Sequence, residues 1–119
     1  MKINVRITEN FEKSAKKLLK KYASLHSELS ELLALLETNP YFGIKITEKV
    51  YKIRLSVKSK GKGKSGGLRV ITYVETEVVE NEADNSIIVN LISIYDKSET
   101  ENISNKEIKN LIENMKFST

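Results

Sequence analysis

Ten residues in the last third of the chain constrain its fold most. Ser86 to Tyr95 is nearly continuous in isoleucine, valine and leucine, interrupted only by Asn90 and Ser93. A strand with one wet face alternates apolar with polar residues, and an amphipathic helix spaces its apolar residues three and four apart. This run does neither, and it is too short to cross a bilayer as a helix. It reads as a central strand covered on both faces. The other segments must supply its neighbours and its cover. A chain of 119 residues suits a single domain, residues 1–119, with one core.

Lys2 to Thr8 alternates, with Ile3, Val5 and Ile7 on one side, as in a half-buried strand. Asn10 is expected to cap the helix that follows. Phe11, Ala15, Leu18, Leu19 and Tyr22 form its apolar stripe, and Lys13, Lys16, Lys17, Lys20 and Lys21 its outer face. Leu25, Leu29, Leu32, Leu33 and Leu36 continue the same spacing after a short break at Ala23-Ser24, which predicts an antiparallel helical hairpin. Thr38-Asn39-Pro40 ends it, because proline cannot continue a helix. Val50 to Val57 and Leu68 to Glu77 alternate as strands, and Asn81 to Asn85 is an acidic turn. Ser104-Asn-Lys-Glu107 is a capping box that opens a last helix, with Ile108, Leu111, Ile112 and Met115 inward. The expected class is α+β in the order β-α-α-β-β-β-α. The sheet is mainly antiparallel, with the helical hairpin packed on one face.

Charge is distributed very unevenly over this framework. Nine of the twenty basic residues lie between Lys45 and Arg69 with one acid, Glu48, a net +8; the remaining eleven basic and fifteen acidic residues carry −4. Strand alternation sharpens the point. Lys52 and Arg54 project from one face of their strand, and Arg69 shares a face of the next strand with Ile71 and Tyr73. If these strands pair across Lys58 to Gly67, the three cations converge, and Lys60, Lys62 and Lys64 rim the concavity. Crowded like charges cost stability, so an anion such as a nucleic-acid phosphate is the natural neighbour. The glycines alternate with lysine and do not form a nucleotide-binding P-loop.

Other chemistries find little support. The absence of cysteine excludes disulfides, thiolate metal sites and cysteine nucleophiles. His26 is the sole histidine, which excludes a two-histidine ribonuclease mechanism, and it falls off the apolar stripe as a helix-surface residue. Glu75, Glu77, Glu80, Glu82 and Asp84 fit no calcium loop and read as a solvated edge. No metal or cofactor is expected. The first residues carry no leader pattern and no apolar run spans a bilayer, so a cytoplasmic protein without a membrane partner is expected.

Tyr51-Lys-Ile-Arg-Leu55, followed by Lys58-Ser-Lys-Gly-Lys-Gly-Lys-Ser-Gly-Gly-Leu-Arg-Val-Ile71, resembles the RelE/ParE superfamily of bacterial toxins, closest to its HigB-type branch. Leu91-Ile-Ser-Ile-Tyr-Asp-Lys97-Ser-Glu99 looks like that family's last core strand with its terminal cation, and Asn39-Pro40 followed by Gly43 also fits. The resemblance implies a small RelE-like fold and a metal-independent endoribonuclease, the toxin of a type II toxin–antitoxin pair, which cuts messenger RNA on the ribosome. The reaction would be attack of a ribose 2′-hydroxyl on the adjacent phosphate. By position, Lys52 and Arg54 correspond to strand cations near the scissile phosphate, Arg69 to the phosphate-stabilising arginine, and Lys97 to a cation after the last strand. The family's C-terminal tyrosine would fall near Ile103, so Tyr95 or Tyr73 is left to supply a phenol. Lys52, Lys60 and Lys62 are candidate bases. A lysine, normally near 10.4, would need its pKa lowered to about neutrality by its neighbours to serve. Lys58, Lys60, Lys62, Lys64 and Tyr73 are the candidate RNA contacts. The implied partners are the ribosome, messenger RNA and a cognate helix-turn-helix antitoxin, with operator DNA reached only through that antitoxin. A ParE-like inhibitor of DNA gyrase and a non-catalytic RNA-binding module are the alternatives.

Overall fold

A computed structural model of the chain describes residues 2–60, 67–78, 85–100 and 102–118. Among these the elements run β1 (Lys2–Ile7), α1 (Glu9–Lys21), α2 (Leu25–Thr38), β2 (Ile44–Thr47), β3 (Val50–Leu55), a 3₁₀ turn (Lys58–Lys60), β4 (Leu68–Glu77), β5 (Ser86–Asp96) and α3 (Asn105–Glu113). The class is α+β, and the five strands form one sheet in the order β1-β5-β4-β3-β2. β1 lies parallel to β5, and every other pair is antiparallel. The short strand β2 is additional to the expected order.

β5 is flanked by β1 and β4 and buried from Ile87 to Ile94, as its apolar run requires. Alternation along the strands divides the core in two. Ile53, Leu68, Val70, Val89 and Leu91 cluster with Phe11 and Leu18 of α1 and with Leu25, Leu32 and Leu36 of α2. Val50, Ile71 and Ile92 cluster with Ile108 of α3, with Tyr73 and Tyr95 packed against them. Adjacent residues such as Val70 and Ile71 belong to different clusters, so α3 lies on the opposite side of the sheet from α1. Each fully buried Leu or Ile contributes roughly 2 kcal/mol of burial free energy.

The start of α1 is fixed by Thr8, not by Asn10. Thr8 Oγ1 accepts from the Phe11 N–H (3.2 Å) and donates to the Leu91 carbonyl (2.9 Å), which caps the helix and pins it to β5. Asn10 lies within the first turn and its Nδ2 donates to the Ile92 carbonyl at 2.8 Å. Ile92 is the extra residue of a β-bulge, since Ile71 pairs with Ser93 and Thr72 with Leu91. The asparagine thus satisfies an acceptor at an irregularity in the ladder. Glu9 and Glu12 in the first turn and Lys20 and Lys21 in the last complement the helix dipole. Ser104 caps α3 by accepting from the Glu107 N–H at 3.1 Å, as the capping box predicts.

After Pro40 the chain turns at Gly43, which has φ +107°. A Cβ there would lie 2.7 Å from the Lys52 carbonyl oxygen and 2.9 Å from Ile53 Cγ1. Gly43 therefore meets both a backbone demand and a packing demand where β2 docks on β3. Gly43→Ala is expected to destabilise the fold by about 2–3 kcal/mol, read from the urea midpoint. An unchanged midpoint would show that the tight approach is not needed.

Candidate functional site

The register across β3, β4 and β5 assembles the cations. Arg54 pairs directly with Arg69, and Arg69 pairs on its other side with Tyr95. Lys52 pairs with Ile71, one step along the same face. Ile71 and Tyr95 belong to the cluster under α3, so Lys52, Arg54 and Arg69 all face that side of the sheet. Directly opposed side chains of like charge repel, and Arg54 and Arg69 are such a pair. They differ in burial. Arg54 is exposed and Lys52 half-buried, while Arg69 is only 3% exposed.

Arg69 Nη1 donates to its neighbour's carbonyl, that of Leu68, at 3.2 Å. Beside it the Tyr95 hydroxyl is enclosed and makes no hydrogen bond among the described residues. Burial raises the Tyr95 pKa, with the Ile103 backbone and the Arg69 charge opposing the rise. The phenol keeps its proton at neutral pH, which makes it a donor and not a base. Asn102 and Ile103 lie beside this row. Lys52 Nζ reaches Asn102 Oδ1 at 3.4 Å, a long contact, and Ile103 packs into the cluster with Tyr95.

Lys60 does not rim this face. Its ammonium lies on the α1 side of the sheet, 2.8 and 2.9 Å from the two oxygens of Asp96. Tyr22 donates its hydroxyl to Asp96 Oδ2 at 2.6 Å, and Ser98 donates from both its hydroxyl (2.7 Å) and its backbone N–H (3.0 Å) to Oδ1. The pair is enclosed, with side-chain exposures of 9% for Lys60 and 0% for Asp96. Burial alone would raise the Asp96 pKa, but Lys60, Tyr22 and Ser98 together hold it well below the usual carboxylate range. The hydrogen bonds to Asp96 raise the Lys60 pKa above its ordinary value. A base would need the opposite shift, so Lys60 is removed both from the rim and from the candidate bases.

The remaining expected residues fall in several places. Lys97 stands half-buried in the turn that follows β5. Tyr73 is half-buried against the cluster under α3, next to Asn90, whose Nδ2 donates to the Tyr73 carbonyl (3.1 Å) and to Glu75 (3.0 Å). Lys58 is exposed and its backbone N–H is held by Glu28 at 2.7 Å. His26 is exposed on α2. Lys62 and Lys64, like most of the acidic turn, lie outside the described residues. Sequence reasoning missed Asp96, Tyr22 and Ser98 as a unit, and Asn102 beside Lys52. The available signal was Asp96 itself, because an acid closing a fully apolar strand needs a buried cation.

The chain matches no protein-family model, no curated protein and no solved structure.

Removing one member of the Asp96 network leaves the others buried without a partner. Asp96→Asn is expected to cost about 3 kcal/mol at neutral pH. The sign of the pH dependence follows from the two shifts. The lowered Asp96 pKa gives stability that is present above about pH 4 and lost as pH falls toward the depressed folded value. The raised Lys60 pKa gives stability present below 10.5 and lost as pH rises through the folded value. Urea titrations across pH should show this plateau, and Asp96→Asn should flatten its acid limb. An acid limb identical in the variant would remove Asp96 from that role.

Proposed function

We propose that this protein is an RNA-cleaving toxin that acts on messenger RNA at the ribosome and is held in check by an antitoxin partner. The observation that supports this most is the arginine pair, Arg54 opposite Arg69, with Lys52 on the same face and the protonated Tyr95 phenol adjoining. Like charges crowded on one sheet face suit a phosphate, which relieves their repulsion.

The chemistry follows from the groups. In 2′-hydroxyl attack the 2′ proton passes to solvent water, the 2′-oxygen bonds to phosphorus, and the bond from phosphorus to the 5′-oxygen breaks. The 5′-oxygen takes up a proton, leaving a 2′,3′-cyclic phosphate and a 5′-hydroxyl. Negative charge grows on the phosphoryl oxygens in the transition state, and Arg54 and Lys52 are accessible enough to meet it. Arg69, buried beneath them, acts through a field less screened by water. Tyr95, still protonated, is the donor suited to the departing oxygen. For Tyr95 to engage RNA, Ile103 must move aside from it.

Arg54 is exposed, so Arg54→Ala should fold normally and isolate the chemistry. In a translating extract the wild-type protein is expected to cut messenger within reading frames, as mapped by primer extension. Arg54→Ala should cut about 10²-fold more slowly, the scale of one lost transition-state donor. Wild-type protein that binds ribosomes but leaves messenger intact would replace this reading with RNA binding alone. Intact translation together with blocked DNA supercoiling would replace it with a gyrase inhibitor.

A further inference from the structure

A large hollow among the described residues lies away from the cationic face. It is a groove of ≈ 680 Å³ along α1, lined also by Ile7 of β1 and Leu29 of α2. Its floor is apolar. Phe11 and Ala15 are buried at its base, Ile7 and Leu29 are half-buried, and Leu19 stands 36% exposed at its lip. Lys13, Lys16 and Lys20 line its rim. The ion pairs among the described residues are Lys21–Glu99 and Lys60–Asp96, so these three lysines have no ion partner. The two acids at the groove, Glu9 and Glu12, stand at the first turn of α1, and Glu12 is occupied by the Ser118 hydroxyl at 3.2 Å.

We infer that this groove is a docking site for an acidic amphipathic helix of a partner protein. An apolar floor with a cationic rim is complementary to a helix that carries apolar residues on one stripe and carboxylates beside it. Phe11 to Lys20 spans about 14 Å of helix, room for two to three turns of an occupant laid alongside. The other candidates fit less well. A nucleic acid would meet the lysines but gain nothing from the floor, where Phe11 is too buried to stack on a base. A second copy of the chain docked symmetrically through α1 would set lysine against lysine. A lipid surface calls for protruding apolar side chains, whereas this site is concave and Leu19 is only partly exposed. Because α1 and the arginine row lie on opposite sides of the sheet, a partner seated here leaves Arg54 open. The inference does not depend on the ribonuclease reading.

The probe is a synthetic helical peptide of about 18 residues, long enough to be helical in water, with leucines at i, i+3, i+4 and i+7 and glutamates flanking them. Titrated into the full chain by fluorescence anisotropy, it should bind saturably with 1:1 stoichiometry. The double variant Lys16→Glu, Lys20→Glu should weaken binding by about tenfold or more, and so should Leu19→Glu, with circular dichroism showing each variant folded. A peptide with lysine in place of every glutamate should not bind. Arg54→Ala should leave peptide affinity unchanged, which separates this site from the arginine row. The inference is overturned if the acidic peptide does not bind, or if the lysine variants bind it equally well. It is also overturned if both peptides bind alike, or if single-stranded RNA or anionic phosphatidylserine vesicles displace the acidic peptide.

Discussion

Asp96 ends β5 with a carboxylate closed off from water, and three parts of the chain converge on it. Tyr22 arrives from the end of α1, Lys60 from the 3₁₀ turn and Ser98 from the turn just beyond. None of these groups is at ease alone. Burial would drive an isolated Asp96 to its neutral form, and an enclosed Lys60 would lose its proton more readily. Together they stay charged, with each oxygen of the carboxylate bonded more than once. The network fixes a relation between α1, β5 and the last residue before the glycine-lysine segment. It also holds the end of β5 from which Tyr95 projects to the other face. The phenol that adjoins the cationic row and the carboxylate of the anchoring charge pair are therefore adjacent residues of one strand.

The two faces of the sheet hold charge differently: the α1 side pairs Lys60 with Asp96, whereas the α3 side sets arginine opposite arginine. Beneath α1 and α2 the sheet offers Ile53, Leu68, Val70, Val89 and Leu91, an ordinary apolar layer. Beneath α3 the fully buried apolar residues are Val50, Ile71, Ile92 and Ile108. Partly buried Ile46, Tyr73 and Ile103 pack beside them, and the same face carries Arg54 against Arg69, Lys52 and the enclosed Tyr95 hydroxyl, which has no hydrogen bond among the described residues. A sequence selected only for stability would set apolar or oppositely charged pairs at such directly facing positions. Local conflict that persists inside an otherwise consistent fold is the mark of a site kept for another purpose.

Much of the fold could be read from periodicity because most elements bury a regular stripe. β1, β3, β4 and β5 fall where alternation or a continuous apolar run puts them, and the face shared by Lys52 and Arg54 follows from the same period of two. β2 escaped because it has almost nothing to bury: three of its four residues are exposed, so no pattern was imposed on them. The cap of α1 was misassigned because both Thr8 and Asn10 can cap. The choice was settled by the Leu91 carbonyl and by a bulge at Ile92, both more than 80 residues away in sequence. Lys60 was misread for a related reason. A lysine in a basic run looks solvated, and only the 3₁₀ turn at Lys58–Lys60 swings it across to Asp96. Composition reports how many cations a segment holds, but not which of them the fold neutralises.

That division of the basic segment bears on how the two sides of the sheet can act. Lys60 is spent on Asp96 on the α1 side, so its charge does not add to the field there. Lys52 and Arg54 make no ion pair among the described residues and remain available on the α3 side. The lysines of α1 form a separate cationic surface that owes nothing to the basic segment and borders an apolar groove. Two positive surfaces on one small domain would compete for the same polyanion if they were alike. They differ in what lies between the charges: opposed guanidinium-bearing strands with a phenol on one side, aliphatic floor on the other. The two proposed occupants, a phosphate for the first and an acidic helix for the second, differ for that reason: charge brings either anion close while the ground beneath the charge decides which one stays.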